Sequence, residues 1–350
     1  VIVLYWVLWA AGKLGIADLY WTPHLLGLVC MDTALVFMWK LTCETADVHR
    51  GFLLTVLSLL NPVIYIWMPW HYTTVSLLPF LSAGIYFGWK AWKAEKLSCK
   101  TGYAAVTGVL TVLGMRIRVT EAILLIAFLI MAVCMGGWKK QLLFCVLPFL
   151  LMCGMTWTLT GAVRNHYADF DSSDKEFPPV HFVMMGVGED GTYKKQDVEF
   201  TEAISLAGRK MLITWQDGSC GFQSEWLYPL KDSRIFQYIC GERNDPFLCW
   251  AQIFYVLVLF LTIWGTISDM RNGRTGVGLL MRLLLLGNIL FYLGWEAQNR
   301  YSIGMNGVLL FLAADALDGL CAEKAKTAGR SLQKLAEKKN VWRIMTGTLA

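Results

Sequence analysis

The chain has 350 residues, of which 56% are hydrophobic and only 16% are charged, with a formal net charge of +5. A soluble domain of this length needs more charge to cover its surface, so the composition excludes an ordinary soluble globular protein. The apolar residues fall in blocks of roughly 15–22, the length of helix that crosses a hydrocarbon core about 30 Å thick. The sequence therefore predicts an α-helical polytopic membrane protein.

Ten candidate transmembrane helices follow from these apolar blocks. They cover about residues 1–12, 22–39, 51–69, 73–89, 102–115, 119–137, 141–162, 248–268, 276–294 and 303–318. The block at 102–115 is short and contains Thr and Gly, so a re-entrant segment is the alternative there. The chain begins at Val1 inside apolar sequence, without a charged leader, so we expect one or two further spans upstream and no cleavable signal peptide.

The positions of Lys and Arg decide the predicted orientation, because cytoplasmic connections carry an excess of both. Basic residues are frequent in one set of alternate connections and few in the other. The basic set contains Lys40, Arg50, Lys90, Lys93, Lys96, Lys100, Lys139, Lys140, Arg271, Arg274 and the tail that starts at Lys324. We place this set in the cytoplasm, which puts the long hydrophilic segment outside the cell.

Four regions result from this topology. Residues 1–163 hold about seven spans, 164–247 form an extracellular cap segment, 248–318 hold three spans, and 319–350 form a basic cytoplasmic tail. Within the cap, residues 197–210 have the pattern of a helix, with acidic residues in the first turn and Arg209 and Lys210 in the last. The tail either lies on the anionic inner leaflet or is a simple stop-transfer segment.

Cysteine and histidine usage predicts no metal site. Most of the ten cysteines lie in or beside spans, where they pack as small apolar residues. Cys220 and Cys240 lie in the cap, where oxidation is permitted, so a disulfide and two free thiols are both open. The five histidines are dispersed and no CxxC pair is present. No motif requires a cofactor, although a divalent cation stays open, and nothing indicates a nucleic-acid partner.

Three arginines lie in the outer connections, against the usual bias. Arg116 and Arg118 occupy the tight turn GMRIRVT, and Arg300 lies in GWEAQNRY. Because guanidinium binds phosphate bidentately and keeps its charge, we predict that all three bind the phosphate of a lipid substrate. Snorkelling to headgroups is the plainer alternative. Glu296 would hold an arginine or act on the substrate, or else form an i,i+4 ion pair with Arg300.

Aromatic residues surround these turns. They are Trp67, Trp70, Tyr72, Trp295 and Tyr301. Such residues are typical of the aromatic belt at a membrane interface. Their rings could also stack on the face of a sugar, so the sequence leaves both interpretations open.

Several segments, in this order, resemble a known family: NPVIYIWMPWHYTTVSLLPF, LGMRIRVTEAILLIAFLI, PPVHFVMMGVGEDGTYKKQDVEFT and GNILFYLGWEAQNRY. They are similar to multispanning glycosyltransferases of the GT-C fold, and more narrowly to the family-39-like integral membrane glycosyltransferases of Gram-positive bacteria. The resemblance covers roughly residues 60–305 and is strongest in the last two segments. It implies a GT-C-like bundle of about ten transmembrane helices with one mixed extracellular cap segment.

The resemblance implies transfer of a sugar from a polyprenyl-phosphate donor to an envelope glycan or lipid-linked acceptor at the outer face of the membrane. The resemblance also implies that a nucleotide sugar is not needed. An acidic residue acts as general base, while basic groups hold the leaving phosphate. The catalytic candidates are Asp18 and Glu296, and the substrate-binding candidates are His71, Tyr72, Asp197, Trp295 and Tyr301.

Two positions depart from the family pattern. Thr74 stands where the pattern has Asp, and Arg118-Val119 stands where it has Lys-Pro. The second change keeps a cation, but the first loses a carboxylate, so a base upstream of Val1 is a further alternative. A non-catalytic relative or a transporter of lipid-linked saccharides is therefore the competing function. For a transporter, Asp32 and Arg282 are the ionisable residues within spans that could pair.

Overall fold

The computed structural model describes residues 2–16, 21–67, 72–134, 146–166, 203–221, 234–239, 241–273 and 276–322. Every regular element in these ranges is helical, which confirms the predicted α-helical membrane fold. The α-helices are α1 (Ile2–Lys13), α2 (Trp21–Thr45), α3 (Val48–Leu60), α4 (Pro62–Trp67), α5 (Thr73–Lys93), α6 (Leu97–Ile117), α7 (Ala122–Cys134), α8 (Leu147–His166), α9 (Ala203–Trp215), α10 (Arg234–Ile239), α11 (Asp245–Arg271), α12 (Val277–Gly294) and α13 (306–322). Two 3₁₀ helices, Val119–Glu121 and Asn299–Met305, precede α7 and α13.

Four helices among the described residues are both long and apolar enough to cross a membrane. They are Thr22–Thr45, Asp245–Arg271, Val277–Gly294 and Asn299–Ala322, and three shorter apolar helices lie at Val48–Leu60, Val119–Cys134 and Leu147–Ala162. Helices α5 and α6 have 21 residues each, or about 31 Å, but they bury hydroxyl groups such as Thr107 and Thr111 inside the bundle. Helix α6 is continuous from Leu97 to Ile117, so residues 102–115 contain no chain reversal of the kind that a re-entrant loop needs.

The predicted span at 51–69 is divided in two. Helix α3 ends at Leu60, Asn61 is extended, and α4 begins at Pro62, which suits a first helical position because it has no N–H to satisfy. The Asn61 side chain accepts from the Val63 N–H at 3.1 Å and donates to Asn306 at 2.9 Å. The break is therefore fixed to the start of α13.

Helix α5 lies at the centre of the bundle, where it packs against α2, α6 and α7. Two of its glycines allow α7 to approach. A Cβ at Gly84 would lie 2.8 Å from Leu124, and one at Gly88 would lie 2.0 Å from Phe128. Leu124 and Phe128 are themselves buried in the main core.

The helix ends predicted to face the cytoplasm carry ion pairs. Arg50 binds Asp315 and Asp318, Lys90 binds Glu44, and Arg282 binds Asp269. The Arg282–Asp269 distance is 2.6 Å, whereas Asp32 is exposed on α2. The pairing of Asp32 with Arg282 considered from the sequence is therefore wrong, because a carboxylate on the adjacent helix α11 neutralises Arg282 instead.

Candidate functional site

The helix ends predicted to face outward meet around Arg118. This residue follows the last turn of α6, and its guanidinium donates hydrogen bonds to the hydroxyl of Thr74 and, at 3.2 Å, to that of Tyr292. The same guanidinium lies 4.3 Å from the centroid of the Tyr301 ring. Arg118 thus joins the start of α5, the end of α12 and the 3₁₀ helix before α13.

Arg300 approaches the same point from the other side. Its guanidinium carbon lies 5.3 Å from the ring centroid of Tyr72 and 5.8 Å from that of Tyr301. The buried Nε atom of Arg300 has no hydrogen-bond partner among the described residues. A guanidinium has five N–H donors, so this arrangement leaves donor capacity for an anion.

Glu296 supplies a carboxylate beside these cations. It is 8% exposed, and its two oxygens accept from the Tyr301 hydroxyl at 3.0 Å and from Gln298 at 3.1 Å. Helix α12 ends at Gly294 and the chain is extended at Gln298. The i,i+4 alternative with Arg300 requires a continuous helix, so it is wrong. We call Tyr72, Arg118, Glu296, Arg300 and Tyr301 the outer cluster.

Charge balance distinguishes the outer cluster from the opposite end of the bundle. None of the ion pairs between described residues includes Arg118 or Arg300, whereas Arg50 and Arg282 bind carboxylates directly. The outer guanidinium groups rest on aromatic rings and hydroxyls, which attract a cation without neutralising it. Two cations therefore share one nearby carboxylate, an arrangement suited to binding an anion.

The remaining predicted site residues lie elsewhere or outside the described ranges. Arg116 donates to Thr160 at 2.9 Å and to the Trp157 carbonyl at 2.7 Å, and it lies 3.7 Å from the Trp157 ring centroid. It thus binds α8 rather than the outer cluster. Trp295 stacks on Phe291, with 5.1 Å between ring centroids. Asp18, His71 and Asp197 lie outside the described residues.

Sequence reasoning did not assign Thr74 or Tyr292 to the site. Both are buried, and both hydroxyls accept from Arg118. Thr74 had a signal in the sequence, since it occupies the position where the family pattern has Asp. Tyr292 had none, because it lies within the apolar run GNILFYLG.

A further buried acid, Glu121, ends the 3₁₀ helix Val119–Glu121 and directly precedes α7. It is 1% exposed, and neither carboxyl oxygen has a hydrogen-bond partner among the described residues. Its side chain occupies space left by glycines on two helices. A Cβ at Gly114 would lie 2.8 Å from Glu121 Cγ, and one at Gly84 would lie 3.9 Å from Glu121 Oε1.

Helix α9 of the cap packs against α12 and the 3₁₀ helix Asn299–Met305. It ends at Trp215 rather than at Lys210, because the apolar run MLITW continues the pattern. Lys210 is consequently buried, and its Nζ donates to the Leu293 carbonyl at 2.7 Å. Burial lowers the pKa of Lys210 from 10.5 to about 8.

The loop Asp217–Gly221 follows α9 and contacts the same turn. The Asp217 carboxylate accepts from the N–H and hydroxyl of Ser219, from the N–H of Gly221 and from the side chain of Asn299. Cys220 is a free, buried thiol that accepts from the Ser302 hydroxyl at 3.4 Å. The disulfide alternative is thus not realised at Cys220; Cys240 lies outside the described residues.

One group of three possible metal ligands occurs among the described residues, at the opposite end of the bundle from the outer cluster. It consists of Asp47, His49 and Asp318, whose ligand atoms lie within 4.8 Å of one another. Asp318 already pairs with Arg50 and His49, and Asp47 caps α3. These contacts account for the group as part of the Arg50 ion-pair network.

Comparisons with known proteins agree with this architecture. Residues 25–210, more than half of the chain, match the family described as "Conserved hypothetical integral membrane protein". The fold is similar to the apo crystal structure of ArnT from Cupriavidus metallidurans, with a TM-score of 0.52 and 15% sequence identity. The match covers 90% of this chain and 48% of that one, so the chain spans about half the length of ArnT. A comparison with curated protein sequences gives no match. The likeness to ArnT confirms the predicted α-helical polytopic membrane fold.

Proposed function

This chain belongs to the conserved hypothetical integral membrane protein family, and from that premise we propose that it is a membrane glycosyltransferase. It would move a sugar from a polyprenyl-phosphate donor to an envelope glycan or lipid-linked acceptor at the outer face of the cell membrane. The observation that carries the proposal is the outer cluster, where two arginines without carboxylate partners in the described residues flank a buried glutamate. The likeness to ArnT, a glycosyltransferase, supports lipid-linked sugar transfer.

The arginines would bind the donor phosphate. When the bond between sugar and phosphate breaks, negative charge grows on the leaving phosphate, and donors that are already oriented stabilise this charge most. Thr74, Tyr292 and the ring of Tyr301 fix the plane of Arg118 before any ligand arrives. Arg300 would add its unused N–H donors. Arg116 would be a third candidate for binding phosphate. Its position beside α8 suits contact with the phosphate of a lipid headgroup.

Glu296 would act as the general base. A carboxylate has about four lone-pair sites, and Tyr301 and Gln298 use two of them. The others could accept the proton of the acceptor hydroxyl while the acceptor oxygen attacks the anomeric carbon from the side opposite the phosphate. The reaction would therefore invert the anomeric configuration. Asp18 remains the second candidate for the base.

The remaining assignments follow from the same site. Tyr72 and Trp295 would bind the sugar and the rim of the lipid substrate, together with His71 and Asp197. The cap would lie outside the cell, because it shares one end of the bundle with the outer cluster. Membrane lipid would surround the protein. The donor sugar is already activated by its phosphate, so no nucleotide is needed, and a divalent cation could assist the arginines in balancing the charge on the departing phosphate.

A transporter of lipid-linked saccharides is the second candidate, and Glu121 favours it. An ionisable side chain buried between membrane helices without a partner is often part of a transport pathway. Thr74 also replaces the carboxylate of the family pattern, which agrees with a non-catalytic relative. Both alternatives predict binding of the lipid without release of polyprenyl phosphate.

A reconstitution experiment separates these functions. Purified full-length protein in lipid nanodiscs is supplied with polyprenyl-phosphate-linked sugars and an acceptor glycan, and release of free polyprenyl phosphate is measured. The glycosyltransferase proposal expects release by the wild type and its loss in Arg118→Ala and Arg300→Ala. Binding without release supports a non-catalytic relative, and movement of the intact lipid across a liposome membrane supports a transporter.

A further inference from the structure

We propose that Asp217 is a positioning residue, which holds Arg300 and Tyr72 in place through the loop Asp217–Gly221. Asp217 would touch no substrate itself. The inference rests on the proposed function for the identity of the ligand, a prenyl phosphate. The effect of the loop on the placement of Arg300 is a separate claim and is tested separately.

The loop contacts the backbone that leads into Arg300. Asp217 Oδ2 accepts from the side chain of Asn299 at 3.1 Å, and Asn299 is the residue before Arg300. Gly221 has φ +69, and a Cβ there would lie 3.0 Å from Asn299 Cβ and 3.5 Å from Arg300 N. The loop backbone therefore lies directly against the start of the 3₁₀ helix and limits where Arg300 can be.

The other side of the loop contacts the support of Tyr72. The Ser219 carbonyl accepts from the indole N–H of Trp67 at 3.2 Å, and Trp67 is fully buried. The Trp67 ring centroid lies 6.1 Å from that of Tyr72, over which Arg300 lies. The loop thus contacts the residues that support both Arg300 and Tyr72.

Asp217 makes this loop a fixed element. Its two oxygens accept hydrogen bonds from Ser219 and Gly221 at 2.7–2.8 Å. The side chain of Gln252 in α11 also holds the loop, because it accepts from the Gly218 N–H and donates to the Gln216 carbonyl. Burial opposes ionisation, but the hydrogen bonds from Ser219, Asn299 and Gly221 outweigh it and lower the pKa of Asp217. The group is therefore a carboxylate at neutral pH, and such charge-assisted hydrogen bonds are strong.

The consequence is that the cap takes part in the site. The cap segment supplies Asp217 and the loop, while the membrane helices supply Arg300 and Tyr72. Because Arg300 depends on the cap for its position, loosening the cap should weaken the binding of phosphate. A site built by the membrane helices alone would not show this dependence.

A double-mutant cycle tests this dependence. The wild type, Asp217→Asn, Arg300→Ala and the double variant are titrated with farnesyl phosphate by calorimetry in detergent. Asparagine keeps the size of Asp217 but cannot accept at both ends, so we expect about tenfold weaker binding. The double variant should bind no more weakly than Arg300→Ala, because the guanidinium that Asp217 positions is already absent. Additive losses would overturn the proposal.

Two further variants make the result specific. Glu242→Gln removes an exposed carboxylate from the same cap and should bind like the wild type. Gly221→Ala leaves Asp217 intact but adds a Cβ against Asn299, so it should reproduce the weakening and also lose it in the Arg300→Ala background. Wild-type affinity in Gly221→Ala would contradict the role of the loop.

Hydrogen exchange separates this inference from the proposed function. Amide exchange at residues 299–302 should be faster in Asp217→Asn than in Glu242→Gln, whether or not the protein binds lipid phosphate. If the wild type does not bind farnesyl phosphate but this exchange accelerates, the proposed function fails and the positioning role stands. Unchanged exchange at these residues would overturn the positioning role.

Discussion

Arg118 lies over the ring of Tyr301, 4.3 Å from its centroid, and the hydroxyl of that same tyrosine donates to Glu296 at 3.0 Å. One side chain therefore orients both a cation and a carboxylate. In the proposed reaction these are the group that stabilises the departing phosphate and the group that accepts the proton. Because Tyr301 orients both groups, stabilisation of the departing phosphate and proton transfer to Glu296 would take place in one fixed arrangement of the site.

Removal of either outer-cluster arginine should reduce turnover more than removal of Arg116. We expect Arg118→Ala and Arg300→Ala to lower the rate of polyprenyl phosphate release about 10²–10³-fold, the range for loss of one oriented donor to a developing charge. Arg116→Ala should mainly lower the melting temperature, because its guanidinium joins α6 to α8. The comparison uses initial rates normalised to folded protein. Wild-type rates in both outer-cluster variants would show that Arg118 and Arg300 do not bind the donor phosphate.

Glu296→Gln should separate proton transfer from binding. Glutamine keeps the size of the side chain but cannot act as a base, so we expect kcat to fall about 10²–10⁴-fold with little change in KM. Tyr301→Phe keeps the ring under Arg118 and removes one hydrogen bond to the carboxylate, so its kcat should fall only about tenfold. A Glu296→Gln enzyme with normal kcat would move the base to another residue, Asp18 first.

Lys210 should make the stability of the protein depend on pH. Its folded-state pKa is about 8, below the ordinary 10.5, so between these values the unfolded chain holds a proton that the folded chain lacks. The free energy of unfolding therefore rises with pH across this window. We expect the wild-type melting temperature to gain about 2–4 °C from pH ~7 to pH ~10, relative to Lys210→Met.

The control for this pH effect is Arg209→Met, which removes an exposed cation from the same helix. This variant keeps Lys210, so it should keep the wild-type pH dependence. Equal pH dependence in Lys210→Met and the wild type would show that another group causes the effect.

Glu121 offers a test of the transporter alternative. Replacement by leucine removes an unpartnered buried carboxyl and keeps a similar volume, so we expect a gain of about 1–3 kcal/mol in the free energy of unfolding. Gly114→Ala should destabilise the protein, because its Cβ would lie 2.8 Å from Glu121 Cγ. Thermal unfolding measures both. A Glu121→Leu protein that is more stable and keeps full turnover argues against transport.

Charge in an apolar chain is easy to see, and this made part of the site predictable. Arg118, Arg300, Glu296, Tyr72 and Tyr301 were all named from the sequence, and the structure brings them together. The different direction of Arg116 could not be predicted, because it depends on where α6 ends. Arg116 is still in the last helical turn, whereas Arg118 has extended backbone at φ −147.

Contacts between distant segments could not be predicted from the sequence. Asp217 and Asn299 are separated by 82 positions, and nothing in the local sequence DGSCG indicates a partner so far along the chain. Likewise, Tyr292 lies in an apolar run where a hydroxyl looks incidental, and only the tertiary fold brings it to Arg118. The helical membrane class was predictable because the length of an apolar block is a local property of the chain.

The interruption at Asn61 has a mechanical consequence. Helices α3 and α4 share no continuous backbone ladder, because Pro62 has no N–H to contribute. The side-chain bond from Asn61 to Asn306, 2.9 Å long, therefore holds the break against α13 in place of a backbone hydrogen bond. Arg50, near the start of α3, pairs with Asp315 and Asp318 of α13, so α3 is attached to one helix at both of its ends although its own backbone hydrogen bonding stops at Leu60.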